Sequence, residues 1–300
     1  MHDDVPNDDR RTFAVLLKLL DNSISELMEV TKEQGLFENS YFIFLSDNGG
    51  DVTNGGNNYP LRGMKNTLFE GGVRTPAFIY SPLLPSEVRG TEYNKMFHVT
   101  DWLPTILEGI LNHKADDFKR SSSWYGVNQW AALMGNDDTP REELLLNMDY
   151  LNHAGNVTSM KAALIQGHYK FIMNQAKTSW YDVPGAGETV KIKYQAASDL
   201  LFDLITDPEE RRDLSDVDTT HSEMAESMKK RIHEIQKNLM NRCIWKKEDE
   251  DAAWDVWSQE EGYPMVPYMD DSSEVEIESK MYLDDPERWE FERNMFGSVE

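Results

Sequence analysis

Two neighbouring side chains in the first quarter of the chain could bind a metal ion. Asp47 and Asn48 supply a carboxylate and a carboxamide oxygen, and Gly49 and Gly50 follow them. Such hard oxygens are the ligands that Ca²⁺ or Mg²⁺ prefers, although a calcium site takes about six to eight of them. Lys65 lies further along the same glycine-containing stretch, where its cation is suited to hold an anion on that metal. These residue types predict part of a site that binds a cation and an anion together.

The same pair also fits a simpler interpretation. Asp and Asn at the end of a strand commonly hydrogen-bond their own backbone and form a turn. Two related motifs are excluded. An EF-hand loop requires glycine where Val52 stands, and a phosphate-binding P-loop requires Gly-Lys-Ser/Thr where residues 63–66 read Gly-Met-Lys-Asn. From the residue types alone, the partial metal site and the strand-ending turn both stay open.

A buried strand is expected to carry this pair. Residues 41–45 are five apolar residues rich in aromatics, a pattern typical of a strand buried on both faces inside a parallel sheet. In open α/β sheets, ligands bind at the carboxyl ends of such strands, which is where Asp47 and Asn48 stand. Residues 11–34 have apolar side chains at three- and four-residue steps, which predicts an amphipathic helix that covers the sheet. Residues 73–81 predict a second buried strand.

Short elements are expected in the rest of the chain. Residues 98–107 predict a short helix that Thr100 or Asp101 would cap. Four further apolar segments, separated by turn-like residues, predict an antiparallel sheet. These segments are residues 144–148, 162–165, 169–173 and 200–204. Apolar residues at helical spacing over 219–240 predict one helix that packs on this sheet.

The composition divides the chain into three predicted parts. A polar, charged stretch at 112–123 indicates a junction, so residues 1–115 form a first domain and residues 116–245 a second. Residues 246–300 form an acidic tail, which is expected to be extended and partly docked by its aromatic side chains. Asn156 begins an Asn-Val-Thr sequon, a glycosylation acceptor only in a secretory compartment.

Charge and cysteine content exclude several classes of function. The 300 residues contain 30 Lys and Arg against 54 Asp and Glu, which gives a net charge of -24. Nucleic acid and anionic membrane surfaces repel such a chain, so a polyanionic partner needs a local positive site. No apolar run is long enough to span a membrane, and the beginning lacks the pattern of a signal segment. The single cysteine, Cys243, excludes an internal disulfide framework and is expected to be a buried or spare thiol.

Several other polar residues are expected to have structural roles. His98, His153 and His168 stand singly, so each is expected to be a hydrogen-bonded structural residue. Arg62 and Arg74 flank the glycine-containing stretch and are expected to hold it through salt bridges or carbonyl contacts. None of these five residues is predicted to take part in catalysis.

Three segments around Asp47 form one pattern. They are residues 46–50 (Ser-Asp-Asn-Gly-Gly), 55–65 (Gly-Gly-Asn-Asn-Tyr-Pro-Leu-Arg-Gly-Met-Lys) and 70–74 (Glu-Gly-Gly-Val-Arg). This pattern resembles, without a gap, the second conserved block of the type I sulfatases, specifically the arylsulfatase B, I and J group. Later segments of that family are similar to residues 98–105, 201–204 and 207–211. The resemblance extends over residues 12–239 and leaves out the acidic tail.

This resemblance implies an α/β fold with part of an alkaline-phosphatase-like doubly wound sheet, followed by a small α+β subdomain with an antiparallel sheet and a helix. It implies that Asp47 and Asn48 are calcium ligands and that Lys65 contacts the substrate sulfate. In the family, a hydrated formylglycine, made from the cysteine of a Cys-X-Pro-X-Arg segment, attacks sulfur. This chain is expected to start after that segment and after the family's paired aspartates. Cys243 is followed by Ile-Trp and cannot replace that cysteine, so no catalytic residue is assigned.

The expected function is that of a calcium-dependent sulfuric ester hydrolase acting on a sulfated small molecule or a glycosaminoglycan, in a chain that is inactive alone. The full-length parent is expected to be a lysosomal or secreted glycoprotein. No nucleic acid partner and no membrane span are expected. Two alternatives stay open. One is another alkaline-phosphatase-like esterase that cleaves phosphate or phosphonate esters, and the other is a non-catalytic protein that binds a sulfated glycan or a partner.

Overall fold

A computed structural model describes Val5 and residues 7–113, 125–135, 139–150, 160–182 and 190–239. The chain separates into two units, Met1–Asn241 and Arg242–Glu300, and all the described residues lie in the first. The predicted junction at 112–123 falls mostly outside the described residues. So do His153, Asn156, Cys243 and the tail at 246–300. The three predicted domains therefore stay a prediction.

The first helix, α1 (Asp8–Glu33), agrees with the helix predicted over 11–34 and begins earlier. Asn7 caps it, because its Oδ1 accepts a hydrogen bond from the backbone N–H of Arg10 at 2.9 Å. No residue of this helix, which is described throughout, is buried, and Leu16 keeps 58% of its surface exposed. The apolar side that was expected to cover the sheet is therefore exposed. Helical spacing makes α1 amphipathic, but it does not select the surface on which the helix packs.

The strands on either side of the glycine-containing stretch pair with each other. β1 (Phe42–Leu45) and β2 (Ala77–Tyr80) form a two-stranded antiparallel sheet in which Phe42 lies opposite Tyr80. The expectation that these strands are parallel and buried on both faces is wrong, since Phe78 keeps 53% of its surface exposed. An apolar run predicts a strand, but it does not encode the direction of the neighbouring strand. The loop between them, residues 46–76, turns the chain back beside β1.

Short helical segments precede β1, lie in the loop between β1 and β2, and follow β2. They are α2 (Glu70–Val73), α3 (Trp102–Pro104) and α4 (Trp130–Leu133), with 3₁₀ turns at Phe37–Asn39, Val52–Asn54 and Val99–Asp101 and a π-helical segment at Thr105–Ile110. The helix predicted over 98–107 is thus three consecutive segments.

His98 caps the first of these segments, and Asp101, one of the two predicted caps, completes a capping box with it. The ring of His98 accepts from the backbone N–H of Thr100, and the carboxylate of Asp101 accepts from the backbone N–H of His98 at 2.9 Å. Burial lowers the pKa of His98, which keeps the ring neutral and able to accept. Histidine is not among the preferred capping residues, so the sequence pattern pointed to its neighbours.

The second half of the described chain forms the predicted antiparallel sheet, with the strand order β3-β4-β5-β6. The strands are β3 (Glu143–Tyr150), β4 (Met160–Gln166), β5 (Tyr169–Ala176) and β6 (Ala197–Asp203). A tight turn joins β4 to β5 at Gly167, where a φ of 58° favours glycine.

Both faces of this sheet are covered. On one face, α5 (Thr219–Leu239) packs Ile232 against Phe171, as predicted. On the other face, Phe69 of the loop packs against Ile172. Phe171 and Ile172 are neighbours on β5 and point to opposite faces. The loop that follows β1 is therefore seated on the four-stranded sheet. Among the helices of the described residues, none combines the length and apolar character needed to span a bilayer.

Candidate functional site

Asp47 and Asn48 follow β1 directly and form a tight local turn. Oδ1 of Asp47 accepts a hydrogen bond from the backbone N–H of Asn48 at 2.8 Å, and Nδ2 of Asn48 donates to the carbonyl of Gly49 at 2.9 Å. The turn interpretation is therefore correct, but the turn does not use every side-chain oxygen. Oδ2 of Asp47 and Oδ1 of Asn48 accept no hydrogen bond from the described residues. The turn thus leaves two hard oxygens available to a ligand.

Asn58 clamps the loop that carries this pair. The backbone N–H of Gly50 donates to Oδ1 of Asn58 at 2.7 Å, and Nδ2 of Asn58 donates to the carbonyl of Gly50 at 2.8 Å. The backbone N–H of Lys65 donates to the same carbonyl at 3.3 Å. Asn58 was not among the predicted site residues. The side-chain amide of an asparagine can both donate and accept hydrogen bonds. An asparagine in a stretch with little regular structure is therefore a candidate for holding the backbone in place, and this could have identified Asn58.

One open groove brings the three predicted site residues together. Asp47, Asn48 and Lys65 all line this groove, whose volume is about 1850 Å³. The side chain of Lys65 is exposed and forms no ion pair with another described residue. The groove is lined by five cations, Lys65, Arg74, Lys95, Arg141 and Lys161, and by four carboxylates, Asp47, Glu70, Glu92 and Glu142. Its charge is therefore nearly balanced, in a chain whose net charge is -24.

A calcium shell needs more oxygens than the described residues bring together. Within the described ranges, no group of three or more His, Cys, Asp and Glu side chains could hold a metal ion. Asp47 and Asn48 fit such an ion in chemistry, because they place two adjacent hard oxygens at the groove. A calcium ion takes about six to eight oxygens. The pair can therefore bind the ion only with further ligands from a substrate or from residues outside the described ranges.

Arg62 anchors the loop through the carbonyl contacts that were predicted for it. Its Nε donates to the carbonyl of Thr178 at 2.9 Å, and its Nη1 donates to the carbonyl of Glu210 at 3.2 Å. The guanidinium also lies over the rings of Phe69 and Trp180, at 4.2 and 4.7 Å from their centroids. Burial lowers the pKa of Arg62, whereas Glu210 acts in the opposite direction. These contacts tie the loop to the segments that flank β5 and β6.

A buried charge cluster lies behind the loop. Nζ of Lys170 lies 2.7 Å from Oε1 of Glu70 and 2.9 Å from Oε1 of Glu210, and the Lys170 side chain is fully buried. The backbone N–H of Glu70 donates to Oε2 of Glu210 at 2.6 Å. Arg74 contacts Glu70 more loosely, at 3.8 Å. Lysine is almost never fully buried unless it is paired, so Lys170 within the apolar segment 169–173 is the signal that was missed.

The two carboxylates compete for one lysine, and this competition affects titration. Burial raises the pKa of Glu210 to about 7, against the opposing attraction of Lys170. Burial acts to lower the pKa of Lys170, but Glu210 and Glu70 raise it overall. Lys170 is therefore charged at neutral pH, and Glu210 is the member of the cluster that titrates near neutrality.

We expect Glu210 to make folding stability depend on pH. Its pKa is about 7 in the folded chain against an ordinary value of 4.5, so the folded state binds more protons between these values. This contribution to the free energy of unfolding is complete below the ordinary value and is lost as the pH rises through about 7. Urea unfolding of the wild type and of Glu210→Gln, measured from pH 5 to pH 8, checks the difference. The wild type should lose stability relative to the variant as the pH rises.

Glu223→Gln on the exposed side of α5 serves as the matched control for this experiment. It removes the same charge without disturbing a buried group, so it should leave the pH dependence of the wild type unchanged. Parallel pH profiles for the wild type and Glu210→Gln would contradict the expected titration.

The amino-acid sequence of the chain also matches those of known proteins. A sequence model of the family described as Sulfatase matches residues 2–110. Over 229 residues, the chain is 31% identical to arylsulfatase J of Mus musculus, and the match covers 70% of this chain and 37% of that protein. The chain belongs to the sulfatase family. The resemblance that the segments around Asp47 indicated is thereby confirmed.

Solved structures resemble this sulfatase chain in fold. Ps i-CgsB in complex with k-i-k-neocarrahexaose has a TM-score of 0.56 at 22% identity, and the match covers 76% of this chain and 44% of that chain. BT4656 in complex with its substrate D-glucosamine-2-N,6-O-disulfate has a TM-score of 0.53 at 16% identity, and the match covers 77% of this chain and 41% of that chain. At these identities the likeness establishes the fold, and it confirms the predicted α/β class.

The sulfatase chain spans 37% of the length of arylsulfatase J, so the activity of a whole sulfatase is not established for it. Members of the family generally use a divalent metal. The roles of Asp47, Asn48 and Lys65 stay predictions, because family membership does not identify individual ligands.

Proposed function

We propose that this chain belongs to a calcium-dependent sulfuric ester hydrolase that acts on sulfated sugars. The observation that carries this proposal is the groove that Asp47, Asn48 and Lys65 line together. Two hard oxygens and one ammonium group suit a divalent cation and an anionic ester bound side by side. Membership of the sulfatase family favours a sulfate ester as that anion.

Each residue has a defined task in this proposal. Asp47 and Asn48 hold Ca²⁺ through their carboxylate and amide oxygens, and Lys65 donates a charge-assisted hydrogen bond to a sulfate oxygen. When bound, calcium draws negative charge away from the sulfate oxygens as a Lewis acid. Asn58 keeps the ligand pair and Lys65 in register, because Asn58 and the backbone of Lys65 both donate to the carbonyl of Gly50.

The proposed substrate class is a sulfated sugar, either as a small molecule or within a glycosaminoglycan. Structures with this fold hold k-i-k-neocarrahexaose and D-glucosamine-2-N,6-O-disulfate. The groove volume of about 1850 Å³ exceeds the roughly 300–1,000 Å³ of an ordinary small-ligand pocket. Its walls carry cations and carboxylates in nearly equal number, and the side chain of Lys65 is exposed among them. An extended sugar fits this volume, and Lys65 suits its sulfate group.

A second candidate function is the binding of a sulfated glycan without turnover. The single cysteine of the chain, Cys243, is followed by Ile-Trp and does not lie in a Cys-X-Pro-X-Arg segment. The groove residues of this chain can bind a cation and a sulfate, but they include no nucleophile assigned to attack sulfur. Both candidates therefore share the ligand and differ in turnover.

We also propose that the whole protein is a lysosomal or secreted glycoprotein with a glycan on Asn156. The sequon at Asn156 supports this location, since such a sequence is modified only in the secretory pathway.

Titration of the chain with calcium and D-glucosamine-2-N,6-O-disulfate, followed by NMR, tests the proposed function. Lys65→Ala is expected to weaken binding of the sugar at least about tenfold, because a hydrogen bond to a charged group contributes about 1.5–3 kcal/mol. Asp47→Asn keeps the acceptor of the local turn but removes the negative ligand. It should therefore lower the affinity for calcium while leaving the fold intact.

Lys18→Ala is the matched control, because Lys18 lies on α1 and pairs with Asp21 at 2.8 Å. It removes a positive charge away from the groove and should leave both affinities unchanged. Wild-type calcium affinity in Asp47→Asn would contradict the ligand assignment. Equal affinity for glucosamine and its disulfate would contradict the substrate class.

A further inference from the structure

The buried cluster of Glu70, Lys170 and Glu210 is connected to the candidate metal loop through α2. Glu70 is the first residue of this one-turn helix, and its backbone N–H and its carboxylate both contact the cluster. Gly72, in the same helix, accepts a hydrogen bond on its carbonyl from the backbone N–H of Gly49 at 2.9 Å. Gly49 follows Asn48 directly. One helical turn therefore separates the buried lysine from the proposed calcium ligands.

Close packing makes this connection rigid. A Cβ placed on Gly49 would lie 1.8 Å from the carbonyl oxygen of Gly71, so the loop backbone lies directly against α2. The backbone N–H of Gly71 donates to the carbonyl of Arg62 at 2.7 Å on the other side. Because α2 is held between these two segments, a shift of α2 must displace Gly49 or break its hydrogen bond. The position of the loop is thus coupled to the position of α2.

The charges of the cluster restrict α2 to one position. Lys170 is fully buried on β5, and its strand is fixed on both sides by pairing with β4 and β6. Glu70 cannot leave Lys170 without breaking the 2.7 Å ion pair to a fully buried lysine, and such a loss is unfavourable. Glu210 adds a second carboxylate to the same Nζ and accepts from the backbone of Glu70. An apolar contact would permit sliding, whereas these directional contacts do not.

We propose that the cluster of Glu70, Lys170 and Glu210 positions the loop 46–50 through α2, so that Lys170 is a positioning residue for the candidate cation site. Lys170 does not touch the groove ligands. It fixes the helix against which Gly49 is seated, and through Gly49 it sets where Asp47 and Asn48 present their oxygens. The link to a cation rests on the proposed function, whereas the positioning of the loop stands without it.

Amide hydrogen exchange, followed by NMR in the absence of calcium and sugar, tests this positioning. In Lys170→Met, the backbone amide of Gly49 is expected to exchange at least about tenfold faster than in the wild type, because the loop opens locally. Asn58→Ala is the positive control for a loosened loop, since it removes the clamp on Gly50.

Ile232→Ala is the matched control for lost stability. Ile232 packs on the opposite face of the sheet, so this variant lowers the melting temperature without touching α2. Gly49 should keep its wild-type exchange rate in Ile232→Ala under conditions where the chain stays folded. Equal acceleration of Gly49 in Ile232→Ala and Lys170→Met would overturn the proposal, because the cluster would then act through overall stability alone. Unchanged exchange in Lys170→Met would overturn it directly.

A neutral triple variant keeps the test decisive if Lys170→Met does not fold. Glu70→Gln, Lys170→Met and Glu210→Gln together leave no buried charge unpaired, so the chain is expected to fold. The contacts from Nζ to α2 are still absent, and Gly49 should again exchange at least about tenfold faster. Wild-type exchange in this variant would contradict the proposal.

Calcium titration of the same variants separates this inference from the proposed function. Weaker calcium binding in the variants with a loosened loop supports the link between the cluster and the cation site. Wild-type calcium affinity in those variants overturns that link. If the wild-type chain itself binds no calcium, the proposed function fails, while the exchange result still decides whether the cluster positions the loop.

Discussion

Incubated with an aryl sulfate and calcium, the chain is expected to release no sulfate above a boiled control. Covalent catalysis requires a nucleophile that is activated by its surroundings, and Cys243, the single cysteine, lies in no formylglycine segment. Calcium and Lys65 can stabilise charge, but they have no assigned nucleophile to assist. The expected loss is at least about a millionfold in rate, the lower end of what enzymes provide. Sulfate release over hours, measured by ion chromatography, checks this.

An active arylsulfatase assayed in parallel is the positive control for this experiment. Lys65→Ala distinguishes activity of the chain from contamination, because its side chain lines the groove. Release of sulfate that survives repurification and disappears in Lys65→Ala would contradict the expectation. The chain would then carry a nucleophile outside the residues assigned here.

Replacing Lys170 by methionine is expected to lower the free energy of unfolding by about 3–5 kcal/mol. The reason is that Glu70 and Glu210 lose their shared cation while both carboxylates stay buried. A loss of this size is a large part of the roughly 5–15 kcal/mol that stabilises an ordinary protein domain. Urea unfolding followed by circular dichroism at pH 7 checks the magnitude.

The neutral triple variant at Glu70, Lys170 and Glu210 is the control that assigns this loss to charge. Replacing a whole buried ion cluster by neutral residues of similar volume is often nearly neutral for stability. The triple variant should therefore be more stable than Lys170→Met although it carries more substitutions. If the triple variant is the less stable of the two, lost packing and not an unpaired charge explains the effect.

Local sequence patterns predicted the elements that pack against the next elements along the chain. The four strands β3–β6 and α5 follow from apolar spacing, because each strand pairs with the next one along the chain. The placement of Asp47 and Asn48 directly after β1 was predicted in the same way. The side chain of Asn48 donates a hydrogen bond to the backbone carbonyl of Gly49 within the turn, as residues of this type commonly do.

The carbonyl contacts of Arg62 and the packing of α5 on the sheet were predicted in outline. Most other contacts between distant parts of the chain were not, because local spacing carries no information about them. The apolar run of β1 gave no sign that β2 would return antiparallel to it. Lys170 interrupts an apolar strand, but its partners Glu70 and Glu210 lie far from it in sequence. Asn58 likewise holds Gly50 through a side-chain contact that no periodicity records. The candidate site residues could thus be named from the sequence, whereas the contacts of Asn58 and Lys170 could not.

The hydrogen bonds that seat the loop on the sheet also set an order of events during folding. The bonds from Arg62 and from the backbone of Glu70 to Glu210 span 148 and 140 residues. Closing loops of this length is entropically costly and slow, whereas β4 and β5 pair across a turn at Gly167. The ribosome releases Asp47 long before Glu210. The proposed calcium ligands therefore leave the ribosome before the residue on which the seating of their loop depends.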